Sequence, residues 1–206
     1  MKKKTLFALA LAGALVAGCA SMMVEHDRSA EALTMMKASF RELGQAKLDR
    51  LDQDEVQRTC SQYNAANPVP KDVAERIQKA ETANIKYPQG SLMGDWKAGE
   101  RIAQTGVGMQ YSDDPSVPSG GNCYACHQLT KAELSYGTIG PPLYNFGKRS
   151  NYTPETLKYA YGKVYDSEAY DACSNMPRFG HKRILTEQQI KDVVALLMDP
   201  QSPVNQ

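Results

Sequence analysis

Apolar residues at Leu33, Met36, Phe40 and Leu43 recur at spacings of three and four, which predicts a helix with one apolar stripe. Asp52 with Glu55 three residues on reads as a capping box, and Val56, Thr59, Cys60 and Tyr63 fall on one face of the helix it opens. Asn67-Pro68-Val69-Pro70 breaks the period. Val73, Ile77 and Ala80 then mark a further helix that stops before Tyr87-Pro88-Gln89-Gly90. Residues 24–88 therefore read as an all-helical extension whose apolar stripes are packing surfaces, with no chemistry assigned to them.

A second region, residues 90–206, opens with a short helix carrying Trp96, Ile102 and Ala103, followed by a loop rich in glycine and proline from Gly106 to Gly121. Thr153 as cap and Pro154 at the first helical position start a helix with Leu157, Ala160, Tyr161 and Val164 on one side. Thr186 with Gln189 forms a capping box, and Ile190, Val193, Val194 and Leu197 continue at helical spacing until Asp199-Pro200 stops them. The expected class is all-α.

The amino terminus changes the compartment. Lys2, Lys3 and Lys4 precede an apolar run from Leu6 to Val16 that is too short to span a bilayer, the pattern of a signal peptide. The run ends in Val16-Ala17-Gly18-Cys19, which resembles a bacterial lipoprotein signal: residues 1–19 would hold the signal, with Cys19 lipidated as the mature N-terminus. Ordinary cleavage after Ala20 is the alternative. Both routes remove the three lysines and take the formal charge from +1 to -2, and both place the chain in the periplasm, where disulfides persist. With 24 basic against 23 acidic residues, no basic surface for nucleic acid is expected, and contact with a membrane is expected only through the lipid anchor.

Cysteine placement carries the chemistry. In Cys123-Tyr124-Ala125-Cys126-His127, two thiols three residues apart on one turn can each form a thioether with a haem vinyl group, and the adjacent histidine can offer an axial nitrogen to iron. A thioredoxin-like pair would need flanking parallel strands, and structural zinc would need a second ligand pair; neither pattern is present. A plain disulfide is the third competing reading. One covalently bound haem c is expected. For the sixth ligand, Met176 is the best candidate, because Pro177 fixes an extended loop there and a thioether raises the haem potential. His181 competes with it. Met109 is a weaker candidate, and His26 reads as a solvated residue. Cys60 and Cys173 remain, and are expected to pair, with a buried thiol at Cys60 and a reactive one at Cys173 as alternatives.

The order of helix, haem motif, proline loop, helix, methionine loop and terminal helix is the layout of a class I cytochrome c domain behind an N-terminal helical extension. That resemblance implies a carbonyl of the Gly140-Pro141-Pro142-Leu143 loop, Pro141 here, orienting His127; the alternative is that the prolines only shape a turn. More specifically, Gly121-Asn122-Cys123-Tyr124-Ala125-Cys126-His127, Met176-Pro177-Arg178-Phe179-Gly180 and the tail from Ile184 to Asn205 resemble the SoxX family of cytochrome subunits. The resemblance implies a heterodimer with a SoxA-like haem subunit, transient contact with the SoxYZ carrier, and a soluble cytochrome c as electron acceptor. The activity implied is L-cysteine S-thiosulfotransfer, with the catalytic haem on the partner. A freestanding electron-transfer cytochrome is the alternative.

Overall fold

In a computed structural model of the protein, residues 28–206 are described; the signal region, Cys19 and His26 lie outside them. The chain divides into two units, Met1–Arg41 and Glu42–Gln206, so residues 42–88 fall within one compact unit with the haem motif. In the first unit, α1 (Ser29–Ser39) ends before Phe40 and buries no residue. Leu33 and Met36 stay 39% and 41% exposed, so the predicted stripe is not a core face. Periodicity marks a helix and says nothing of what covers it.

The second unit contains α2 (Glu55–Cys60), α3 (Lys71–Asn84), α4 (Trp96–Gln104), α5 (Phe146–Arg149), α6 (Pro154–Tyr165) and α7 (Glu187–Met198). Short 3-10 turns lie at Leu48–Leu51, Cys123–Ala125, Ser167–Ala169 and Pro203–Asn205, and the described residues form helices and no strands. The α2 cap is Asp54 with Gln57, not Asp52 with Glu55. Both pairs fit the pattern, but Asp54 is also gripped by Arg178 and Lys182, whereas Asp52 ends the preceding 3-10 turn. Thr153 and Thr186 cap α6 and α7 through Thr156 and Gln189, with Pro154 in the first turn of α6.

α7 is the centre of the core. Ile190, Val194 and Leu196 have no exposed surface, and burying each such side chain stabilises by about 1.5–3 kcal/mol. Gly99 lets α4 approach it backbone to backbone, since a Cβ there would meet Asp192 O at 2.1 Å. Beyond Asp199 the tail hooks back. Ser202 Oγ donates to Leu196 O at 2.6 Å, and buried Asn205 Nδ2 donates to Leu197 O and Asp199 O at 3.0 and 2.9 Å, closing carbonyls that the helix end leaves open. Asn145 N donates to Val204 O at 2.6 Å, tying the hook to the chain just after the proline loop.

α3 packs on the Ser167–Ala169 turn. Gln78 Nε2 and Thr82 Oγ1 each donate to carbonyls of that segment, Tyr170 O and Ala169 O, at 3.3 Å. Tyr161, fully buried on α6, donates through its hydroxyl to Lys86 O at 3.3 Å.

Candidate haem centre

Asn122 adopts a left-handed backbone with φ 46°, a conformation asparagine tolerates better than most residues, and turns the chain into Cys123–Ala125. Amides of Cys126 and His127 then donate to Cys123 O at 3.1 and 2.9 Å. The chain folds back over this turn. Gly137 N donates to Tyr124 O at 2.9 Å, Gly140 N to Cys126 O at 2.9 Å and Leu143 N to Gln128 O at 2.7 Å. Gly140 lies against the His127 ring: a Cβ there would stand 2.1 Å from Cε1, so the loop can pass only as glycine.

His127 Nδ1 lies 2.7 Å from Pro141 O. A carbonyl only accepts, so this contact assigns the N–H to Nδ1 and leaves a lone pair on Nε2, the state a metal ligand requires. Cys123 and Cys126 form no disulfide, and each is half-buried. Burial pushes the Cys123 thiol up to about 12, the opposite direction from the lowered thiol of a thioredoxin-like pair. Among the described residues no further metal-binding group joins the two sulfurs, so the zinc reading has no ligand set. Ile102, Tyr124, Leu143 and Met176 are half-buried apolar side chains packed on the core. Two cysteines outside any disulfide and an oriented imidazole fit a covalently attached haem.

Met176 lies on the loop between the Ser167–Ala169 turn and α7. Ser167 Oγ donates to its carbonyl, and its amide donates to Ser174 Oγ at 3.2 Å. The loop is fastened on both sides. Cys173, at φ 64°, is joined to Cys60 of α2 by a disulfide with S–S 2.07 Å, across 113 residues. Arg178, only 7% exposed, donates to Asp54 and, at 3.3 Å, to Glu81 Oε2; Lys182 donates to Asp54 as well. His181 turns its Nδ1 to Asp166 Oδ2 at 2.7 Å and Glu81 Oε2 at 3.2 Å. Met109 sits in the 106–121 loop and is 40% exposed.

Charges in this cluster are strongly perturbed. Burial works against the Asp54 carboxylate, yet Lys182, the Gln57 amide and Arg178 together hold it well below the ordinary carboxylate range. Burial first, and Glu81 second, push Asp166 up to about 7. Burial and then Arg178 lower His181, against the pull of Glu81. Sequence reasoning missed the clamp of Arg178 with Asp54 and Glu81. Its partners stand 124 and 97 residues apart, and no periodicity links them.

Residues 119–199 match the cytochrome c family. Over 214 residues, covering 100% of both chains, the protein is 36% identical to an uncharacterised lipoprotein of Aquifex aeolicus (strain VF5). The chain belongs to that lipoprotein's family and contains a cytochrome c domain. The domain is of class I, it carries covalently bound haem c, and its activity is haem electron transfer. Among the described residues of this cytochrome, no helix is long and apolar enough to cross a membrane.

Proposed function

We propose that this cytochrome is the electron-accepting, SoxX-like subunit of a heterodimeric L-cysteine S-thiosulfotransferase, exported to the periplasm and tethered there by a lipidated Cys19. The observation that carries the reading is the tail, whose Ile184–Asn205 sequence resembles SoxX and is built into the fold as a buried hook rather than left as surface. In the reaction a carrier thiol and thiosulfate join through a new S–S bond, releasing one proton and two electrons. Bond making belongs to the SoxA-like partner, and the electrons pass through this chain one at a time to a soluble cytochrome c.

Bound haem supplies a one-electron ferric–ferrous couple. Cys123 and Cys126 hold it by thioethers, which leaves no free thiol for competing chemistry. His127 would offer Nε2 to the iron, with Pro141 O holding the ring through Nδ1. Met176 would offer the sixth ligand, and its soft thioether would favour the reduced state, making the centre a better acceptor. The disulfide and the Arg178 clamp hold the Met176 loop in place.

Pull-down of the tagged protein from its native extract, with haem staining of a denaturing gel, tests the assignment. A second haem polypeptide in equal amount, and reduction of this haem by thiosulfate once the SoxYZ carrier is added, are the expected results. A lone haem band indifferent to thiosulfate overturns it in favour of a freestanding shuttle. Met176→Ala separately tests the ligand. It should lower the potential and let carbon monoxide bind the reduced haem, and an unchanged spectrum would place the sixth ligand elsewhere.

A further inference from the structure

Glu81 on α3, Asp166 at the end of α6 and His181 after the Met176 loop each offer one donor atom, and these atoms all lie within 4.8 Å of one another. The two carboxylates are 5% and 0% exposed. Asp166 Oδ2 is buried without a hydrogen-bond partner; the nearby imidazole nitrogen touches it without hydrogen-bond geometry. Such an oxygen is normally satisfied by a donor or an ion. Around it, Arg178 pairs with Asp54 and Glu81, Lys182 pairs with Asp54, and Arg76 and Glu55 line the adjoining cavity.

We propose that Glu81, Asp166 and His181 form a site for a divalent cation of the zinc class, separate from the haem. The donor set is one imidazole nitrogen and two carboxylate oxygens, which suits zinc; magnesium and calcium prefer oxygen alone. Donors around tetrahedral zinc stand about 3.3 Å apart. His181 Nδ1 and Glu81 Oε2 are already 3.2 Å apart, while Asp166 must open from 2.7 Å by a side-chain rotation. Arg178 holds Glu81 from outside, acting as a positioning residue rather than a ligand. A cavity of about 170 Å³ lined by Glu81, His181, Arg76 and Thr59 reaches two of the three donor residues and has room for a water as fourth ligand. Such an ion would link α3 to the segment that follows Met176.

The test uses the tag-free, haem-loaded protein, stripped with dipicolinate and titrated with zinc alone, with metals counted by mass spectrometry against haem iron. One zinc per haem is expected, with an unchanged haem spectrum. Asp166→Asn and His181→Gln should each weaken zinc binding about tenfold or more. Zinc-edge X-ray absorption on the wild type needs no variant and should show a nitrogen and oxygen shell near about 2.0 Å with an imidazole signature and no sulfur. The proposal is overturned if the wild type takes up no zinc, if both variants hold it as tightly, or if the shell contains sulfur.

Discussion

The loop after His127 and the loop that carries Met176 are held by partners at very different sequence distances. Gly137, Gly140 and Leu143 bond back to Tyr124, Cys126 and Gln128, and His127 meets Pro141 only 14 residues on. The Met176 loop is fastened by a disulfide spanning 113 residues and by Arg178 partners 124 and 97 residues away. The attachment side is thus a local unit, while the methionine side borrows its rigidity from α2 and α3. Damage to the extension should therefore loosen Met176 and leave haem attachment intact.

The sharpest way to break that contrast is to remove the disulfide. Replacing Cys60 and Cys173 together by serine should cost about 5 kcal/mol, since the bridge restricts a long loop of the unfolded chain. Denaturant unfolding measures this, and pyridine haemochrome analysis should still find one haem per chain. An unchanged unfolding midpoint would mean the staple carries no stability. Arg178→Met comes next, at about 3–5 kcal/mol, because it strands Glu81 beside Asp166 without a cation. Its haem spectrum should show partial loss of the methionine ligand, whereas a stable variant with a normal spectrum would detach the clamp from the haem site.

The same contrast explains what the sequence could reveal. Cys123-Tyr124-Ala125-Cys126-His127 and the caps at Thr153 and Thr186 are short-range devices, so spacing alone locates them. Asp54 was missed in favour of Asp52 because the choice between two equivalent capping patterns is made by Arg178 and Lys182, far away in sequence. The glycine of Gly140-Pro141 reads as turn chemistry, and only the fold reveals His127 against its Cα. Glu81, Asp166 and His181 sit on three segments whose meeting no local pattern encodes.

On the local side, Gly140→Ala tests whether the turn grips the imidazole. The new methyl must displace the His127 ring or the loop, an overpacking cost of about 1–3 kcal/mol. Because the strain falls on the axial histidine, the haem potential and the ferric low-spin spectrum should shift while unfolding changes only modestly. A destabilised variant with the wild-type spectrum would show that Gly140 serves the backbone alone.

The smallest effect is a titration with two opposing limbs, measured as unfolding free energy with a chelator present. Asp54 is held below its ordinary value of 3.8, so it stabilises the fold above that pH and its contribution is lost as pH falls below it. Asp166 has the opposite sign. Raised to about 7, it binds its proton more tightly in the folded state, so its contribution is greatest below pH 3.8 and declines as pH rises from there to about 7. One proton taken up by one group limits the slope to about 1.4 kcal/mol per pH unit. Asp166→Asn should flatten the upper limb, leaving the share that Glu168 adds in the same direction, and Asp54→Asn should flatten the acid limb. A wild-type slope retained in Asp166→Asn would assign the upper limb to another group and remove Asp166 as the seat of the buried charge.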